Sequence, residues 1–136
     1  MKGMRKVAYF YTLLPNRIGE GARVLSSLAD QRIDFLAFSG FPSGRRAQLD
    51  FIPSDPKKFK AAAKTLNISL IGPKIGFLLQ ADEHVGAAAK VLVMLADAGV
   101  DVVAMNAVSS GKGRLGMMFW VAPDAVAKAA KVLGAK

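Results

Sequence analysis

One pattern is written twice in this chain. Arg17 to Asp34, RIGEGARVLSSLADQRID, returns 67 positions later as His84 to Asp101, HVGAAAKVLVMLADAGVD, with no gap. Gly19 becomes Gly86, Ala22 becomes Ala89, Val24-Leu25 becomes Val91-Leu92, and Leu28-Ala29-Asp30 becomes Leu95-Ala96-Asp97. A repeat constrains the fold more than any single motif. Each copy must be one supersecondary unit, and it shares a core with its neighbour. With 136 residues in all, each copy has about sixty, which is marginal for a separate core.

The remaining segments follow the same plan. Val7 to Leu14 is dense in aromatic and β-branched residues and reads as a strand. A turn follows through Gly19. The spacing of Ile18, Ala22, Leu25, Leu28, Ala29 and Ile33 then predicts a helix burying that side. Phe35 to Ser39 is a strand, and Gly40 to Arg46 (GFPSGRR) a turn. Ala47 to Ile52 alternates, with Ala47, Leu49 and Phe51 facing a core and Gln48 and Asp50 facing away. Asp55-Pro56 supplies an N-cap and a first-turn proline for a helix ending near Leu66. Ser69 to Ile71 closes the first copy.

The second copy runs Ile75–Ala81 (strand), Val85–Ala98 (helix), Val100–Ala107 (strand) and Ser109–Arg114 (turn). This turn carries one residue more than its counterpart. A strand from Leu115 and a helix after Pro123 complete the copy, the helix burying Val126, Ala129, Ala130 and Leu133. Its closing strand is missing, so another segment must supply it or the edge stays open. The expected fold is α+β: two tandem ferredoxin-like βαββαβ units, residues 1–71 and 72–136, with antiparallel sheets and helices on one face. Met117 to Val121 does not alternate, and the helix around Val91 is apolar nearly all round. The second unit is therefore expected to be covered on more than one side, by the first unit and by a second chain.

Composition narrows the function. The net charge of +9 raises nucleic acid as a partner. The bases are spread thinly, however: the dense groups are Lys2/Arg5/Lys6, Arg45-Arg46, Lys57/Lys58/Lys60/Lys64 and Lys112/Arg114, and the helix group lies on a face where solvation is the ordinary role. Nucleic acid is the weaker candidate. The absence of Cys excludes disulfides and thiolate metal sites. No apolar run approaches the roughly 20 residues that span a bilayer, so no membrane partner is expected. The basic N-terminus lacks a small-residue cleavage site, and cytoplasmic residence is the default.

Strand, glycine turn, LxxLAxxGxxV-like helix and strand together resemble a pair of ACT domains, regulatory modules of amino-acid metabolism. Leu92 to Val100 (LVMLADAGV) fits that helix closely and Leu25 to Ile33 (LSSLADQRI) fits it less well. The resemblance covers Val7 to Leu133. The family's turn has an acidic residue or Asn, a spacer, Pro, Gly and soon Leu. Here Ile18 and Val85 replace the proline, and Gly21 and Ala88 stand where the leucine is expected. The resemblance implies a small amino-acid ligand bound at module or subunit interfaces. It also implies a homodimer or higher homo-oligomer and a regulated enzyme as partner, with no catalysis and no cofactor of its own.

The glycine turns are the candidate site. There a strand enters a helix, so free N–H groups of the first turn and the helix dipole can seat a carboxylate. Asn16, Arg17, Ile18, Gly19 and Glu20 form the first turn, and Asp82, Glu83, His84, Val85 and Gly86 the second. Asn16, Glu20, Asp82 and Glu83 can meet an amino group. By the resemblance, the end of the following strand adds Ser39, Gly40, Asn106 and Ala107. Glu20 becomes Ala87 in the second copy, so the turns need not share a ligand.

Other motifs carry less. Gly111 to Gly116 matches GxGxxG, but a strand follows where a dinucleotide site needs a helix, so it reads as a hairpin turn. Lys112 to Phe119 (KGRLGMMF) lacks the two stacking aromatics of an RNA-recognition strand. Tyr9-Phe10-Tyr11 keeps RNA binding as the alternative, and a dimerisation module without ligand is a third reading. His84 is the lone histidine, and no cluster marks a metal site.

Overall fold

The computed structural model describes residues 1–136. It is α+β, with strands β1 (Met4–Pro15), β2 (Phe35–Ser43), β3 (Arg46–Pro53), β4 (Ile71–Asp82), β5 (Val102–Gly111) and β6 (Arg114–Val121). The helices are α1 (Glu20–Asp30), α2 (Pro56–Thr65), α3 (Ala87–Asp97) and α4 (Val126–Leu133), the last preceded by a 3₁₀ turn at Pro123–Ala125. The sequence repeat is also a repeat of element bounds. From β1 to β4, and from α1 to α3, both ends move by 67 positions.

The chain divides into two compact units. One is Ala8–Lys74, the other Ile75–Lys136 together with Met1–Val7. The first seven residues thus lie with the second copy, not with the copy that follows them. They supply its closing strand: Gln80 N–H donates to Gly3 O (3.1 Å) and Lys6 N–H to Lys136 O (3.0 Å). Gly3 has φ +82°, and a Cβ there would run into the Gln80 carbonyl, so only glycine fits. In the first unit the closing strand is the start of β4, which begins at Ile71, the last residue of the expected Ser69–Ile71. Thr12 Oγ1 donates to Ser69 O (2.6 Å), and a Cβ on Gly72 would lie 2.9 Å from Tyr9 O.

In the first unit β3 pairs antiparallel with both β1 and β2. Its core is aromatic. The Phe59 ring lies 5.3 Å from Phe10, 5.6 Å from Phe35 and 5.2 Å from Phe51, between ring centroids. Val24 and Leu28 of α1 close over these rings. Of the side its spacing suggests, Leu28 and Ile33 are buried and Leu25 packs against the core, while the rest is not covered. Ile18 is fully exposed and Ala22 and Ala29 are exposed. The reason is the left-handed Gly19 (φ +92°), which delays the helix to Glu20 and leaves Ile18 in the turn. Asp50 also departs from expectation. It is only 2% exposed, and Ile52 and Tyr9 beside it on the face opposite the helices are buried as well. β3 is thus buried on both sides from Asp50 to Pro53.

In the second unit β6 pairs antiparallel with β4 and β5. In its core Phe77 stacks on Phe119, 5.0 Å apart. Val91, Leu95, Ala129 and Leu133 fill the rest. Met117 to Val121 is buried at every position, as its lack of alternation implies. The extra hairpin residue sits at a bulge between Ser109 and Gly111, so Leu115, Met117 and Phe119 keep the register of Ala47, Leu49 and Phe51. Asp55 caps α2 by accepting from Lys58 N–H (3.1 Å). Ala122 stands at the matching place, offers no such acceptor, and α4 starts through the 3₁₀ turn.

Candidate functional site

Both glycine turns have the same backbone. Gly19 (φ +92°) and Gly86 (φ +85°) are left-handed N-caps of eleven-residue helices, and no side chain caps either helix. A Cβ on either glycine would meet nothing within 4 Å. The glycines are thus required by the backbone, and the space above them is open. Ile18 and Val85 stand at the two tips, both fully exposed.

The side chains around the two turns differ. At the first, Glu20 is held from both sides, by Arg23 at 3.1 Å and Arg17 at 4.0 Å. Its carboxylate lies in the first turn of that helix, the favourable end of the helix dipole for a negative charge. Asn16 is exposed, and its N–H donates to Arg45 O of the β2–β3 hairpin (3.2 Å). At the second turn Ala87 replaces Glu20, and the acids sit earlier. Asp82 Oδ1 accepts from Arg114 (2.7 Å), and Glu83 Oε2 accepts from the Ser109 hydroxyl (2.8 Å). Glu83 N–H also donates to Gly113 O (2.7 Å). The β5–β6 hairpin thereby grips the second turn by three bonds. His84 is exposed, with Nδ1 3.1 Å from Val85 O. The hairpin turn itself, Lys112 (φ +54°) and Gly113 (φ +69°), has both central residues left-handed, the usual two-residue geometry.

Ser39, Gly40, Asn106 and Ala107 are not brought to the turns within their own unit. Gly40 pairs with Leu49, which pairs with Thr12, four residues short of Asn16. Ala107 pairs with Met117, which pairs with Leu79, three residues short of Asp82. With strands about 4.8 Å apart and about 3.4 Å per residue, Ala107 lies on the order of 14 Å from Asp82. Such residues could join a turn only from another module.

A cavity of about 560 Å³ opens beside the second turn. β4 contributes Leu79 and Ala81, α3 contributes Ala87, Lys90 and Met94, and Lys2, Gly3 and Leu115 complete the walls with Asp82, His84 and Arg114. Ser109, Arg114, Lys2 and Lys90 are site residues that the repeat did not single out. Elsewhere, Asp50 is the buried acid of the first unit. Burial holds its carboxyl above the usual carboxylate range, and the Gln48 amide (3.1 Å) offsets this only in part. Burial also pushes Tyr9 up to about 12, with the charges of Asp50 and Tyr11 adding to the effect. No group of three or more His, Asp or Glu side chains is arranged to hold a metal. No helix is long and apolar enough to cross a membrane.

No family model and no curated protein matches the sequence. Solved structures do match. A protein from Bacteroides thetaiotaomicron superimposes with a TM-score of 0.83 at 22% identity, over 98% of this chain and 90% of that one. The ligand-free regulatory subunit of aspartate kinase from Thermus thermophilus does so with 0.65 at 14%, over 96% and 92%. The corresponding subunit from Thermus flavus gives 0.57 at 17%, over 98% and 95%. The fold is that of an ACT-domain protein. At these identities the likeness is one of architecture, and it extends over nearly the full length of these ACT regulatory subunits. In the ACT frame, the two glycine turns are equivalent positions of the two repeats, and their side chains make them unequal.

Proposed function

We propose that the chain is a regulatory small-molecule-binding protein, not an enzyme. It would consist of two tandem βαββαβ ACT-like units, following the sequence copies 1–71 and 72–136 with their closing strands exchanged. The ligand would be an amino acid, and its binding would bias an assembly that controls a partner enzyme. The observation that carries this reading is the pair of left-handed glycine N-caps, each opening a helix entrance without a side-chain cap. A carboxylate is the natural guest of such an entrance. The full-length likeness to aspartate kinase regulatory subunits supports the regulatory role.

Association into a homodimer is part of the proposal. Leu92 and Val93 of α3 and Val103 and Val108 of the edge strand β5 are exposed, and an apolar helix face beside an open strand edge fits a second copy. A ligand can shift such an equilibrium only through unequal affinity for its states. Cytoplasmic residence belongs to the same reading. RNA binding has less support, because Tyr9, Phe119 and Trp120 are buried and offer no stacking platform.

Thermal unfolding against the twenty amino acids at millimolar concentration tests the proposal. A ligand at about 100 times its dissociation constant adds about 2.7 kcal/mol, which is several degrees for a chain of this size. A selective shift is the expected result. No shift with any of the twenty would end the amino-acid reading.

A further inference from the structure

Three positions lining the cavity beside the second turn hold smaller residues than their counterparts in the first copy. Ala81 stands where the first unit has Leu14, Ala87 where it has Glu20, and Gly3 where it has Leu70, each displaced by 67 positions. In the first unit Leu14 is buried in the core, and Leu70 packs against it. The second unit lacks those side chains at the same places, beside a space of about 560 Å³. That is within the range of small-molecule sites.

Its lining has a definite chemistry. Leu79, Ala81, Met94 and Leu115 make an apolar floor. Lys2, Lys90 and Arg114 line it as cations. Asp82 is the carboxylate of the lining, and its Oδ1 accepts from Arg114. A lining that bears both signs around an apolar floor is the complement of a zwitterion with an apolar side chain.

We infer that the second unit binds an amino acid with an apolar side chain of leucine to phenylalanine size, in a site complete within that unit. The carboxylate lies toward Lys2 and Lys90, the ammonium toward Asp82, and the side chain over Ala81. This rests on the amino-acid reading above and makes it specific in two ways. It selects one of the two turns, and it places the ligand inside a unit instead of at an interface.

The test is calorimetric titration of the full chain with leucine, phenylalanine, aspartate and 4-methylpentanoate, the last being leucine without its amino group. The expected result is one leucine or phenylalanine per chain, with aspartate at least tenfold weaker. Ala81→Leu, which installs the residue the first unit uses, should reduce leucine affinity tenfold or more while the chain still unfolds cooperatively. Should that variant fail to fold, Asp82→Asn answers on its own. It should weaken leucine severalfold and leave 4-methylpentanoate unchanged. Leucine binding unaltered by both variants would overturn the inference while leaving amino-acid regulation intact, as would binding confined to polar amino acids. Failure of all twenty amino acids to bind would instead remove the reading on which the inference stands, and the inference with it.

Discussion

The two glycine turns share a backbone and differ in everything attached to it. Gly19 and Gly86 have φ values within a few degrees of each other, and both open a helix with no side-chain cap. Yet the first entrance carries its own Glu20, paired with two arginines. The second has Ala87 there, a cavity alongside, and a hairpin bonded to its acids. A repeat preserves the conformation that glycine dictates. It leaves the chemistry free to diverge, because side chains at the helix entrance are not needed to make the turn. The cores diverge in the same way. Phe35, Phe38 and Phe59 surround Phe51 in the first unit, while Val102, Met105 and Val126 occupy the matching positions of the second.

The largest test of this contrast lies in the cores. Phe51→Ala and Phe119→Ala both remove fully buried rings, and each should cost about 3–5 kcal/mol in urea unfolding. Phe51 should be the costlier, since it loses three ring partners against one, each worth about 0.5–1.5 kcal/mol. Equal costs would mean that aromatic content does not separate the two cores. Next comes the shared backbone. Gly19→Ala and Gly86→Ala should each cost about 1–2 kcal/mol through the left-handed φ alone, and nearly the same amount, because neither Cβ meets a neighbour. A clearly larger loss at one turn would break the equivalence.

The smallest mutational effect belongs to the attached charges. Glu20→Ala should change stability by about 1 kcal/mol or less, as its arginine partners are solvent-exposed, but it should leave the first entrance free to take an anion. An amino-acid response that doubles in stoichiometry in this variant would show that Glu20 is what silences the first turn. A pH series adds a signature of the first unit only. Because burial raises the Asp50 pKa in the folded state, the folded chain holds that proton more tightly. Its contribution to stability is therefore present at low pH and is lost as pH rises through the raised value. Asp50→Asn should flatten that part of the stability–pH curve. A slope that persists in the variant would assign it to another group.

Much of this was legible in the residues. The gapless copy of Arg17–Asp34 marks the turn and helix, the aromatic and β-branched run Val7–Leu14 marks the strand before it, and the unalternating Met117–Val121 announces burial on both faces. Asp55-Pro56 marked a helix start that the structure caps as expected. Less visible was whatever depends on pairing between distant segments. Met1–Val7 looks like an ordinary basic terminus, and only hydrogen bonds to Gln80 and Lys136 make it the closing strand of the second copy. Ser109 and Arg114 reach the second turn because a bulge and a two-residue turn aim the hairpin there, which local propensity does not reveal. The burial of Asp50 escaped the alternation rule, because that rule assumes water on one face. The cavity draws Gly3, Ala81 and Ala87 from distant parts of the chain, so its lining is legible only once they are known to face one space.

The two twelve-residue strands have a consequence for the history and handling of this chain. Each gives its first part to one unit and its remainder to the other. A gene cut at the boundary of the duplication would yield two pieces, each carrying a strand that belongs to the other and lacking one of its own. Neither copy can be lost, excised or expressed alone without leaving an unpaired edge. The trade of strands makes the duplication hard to undo.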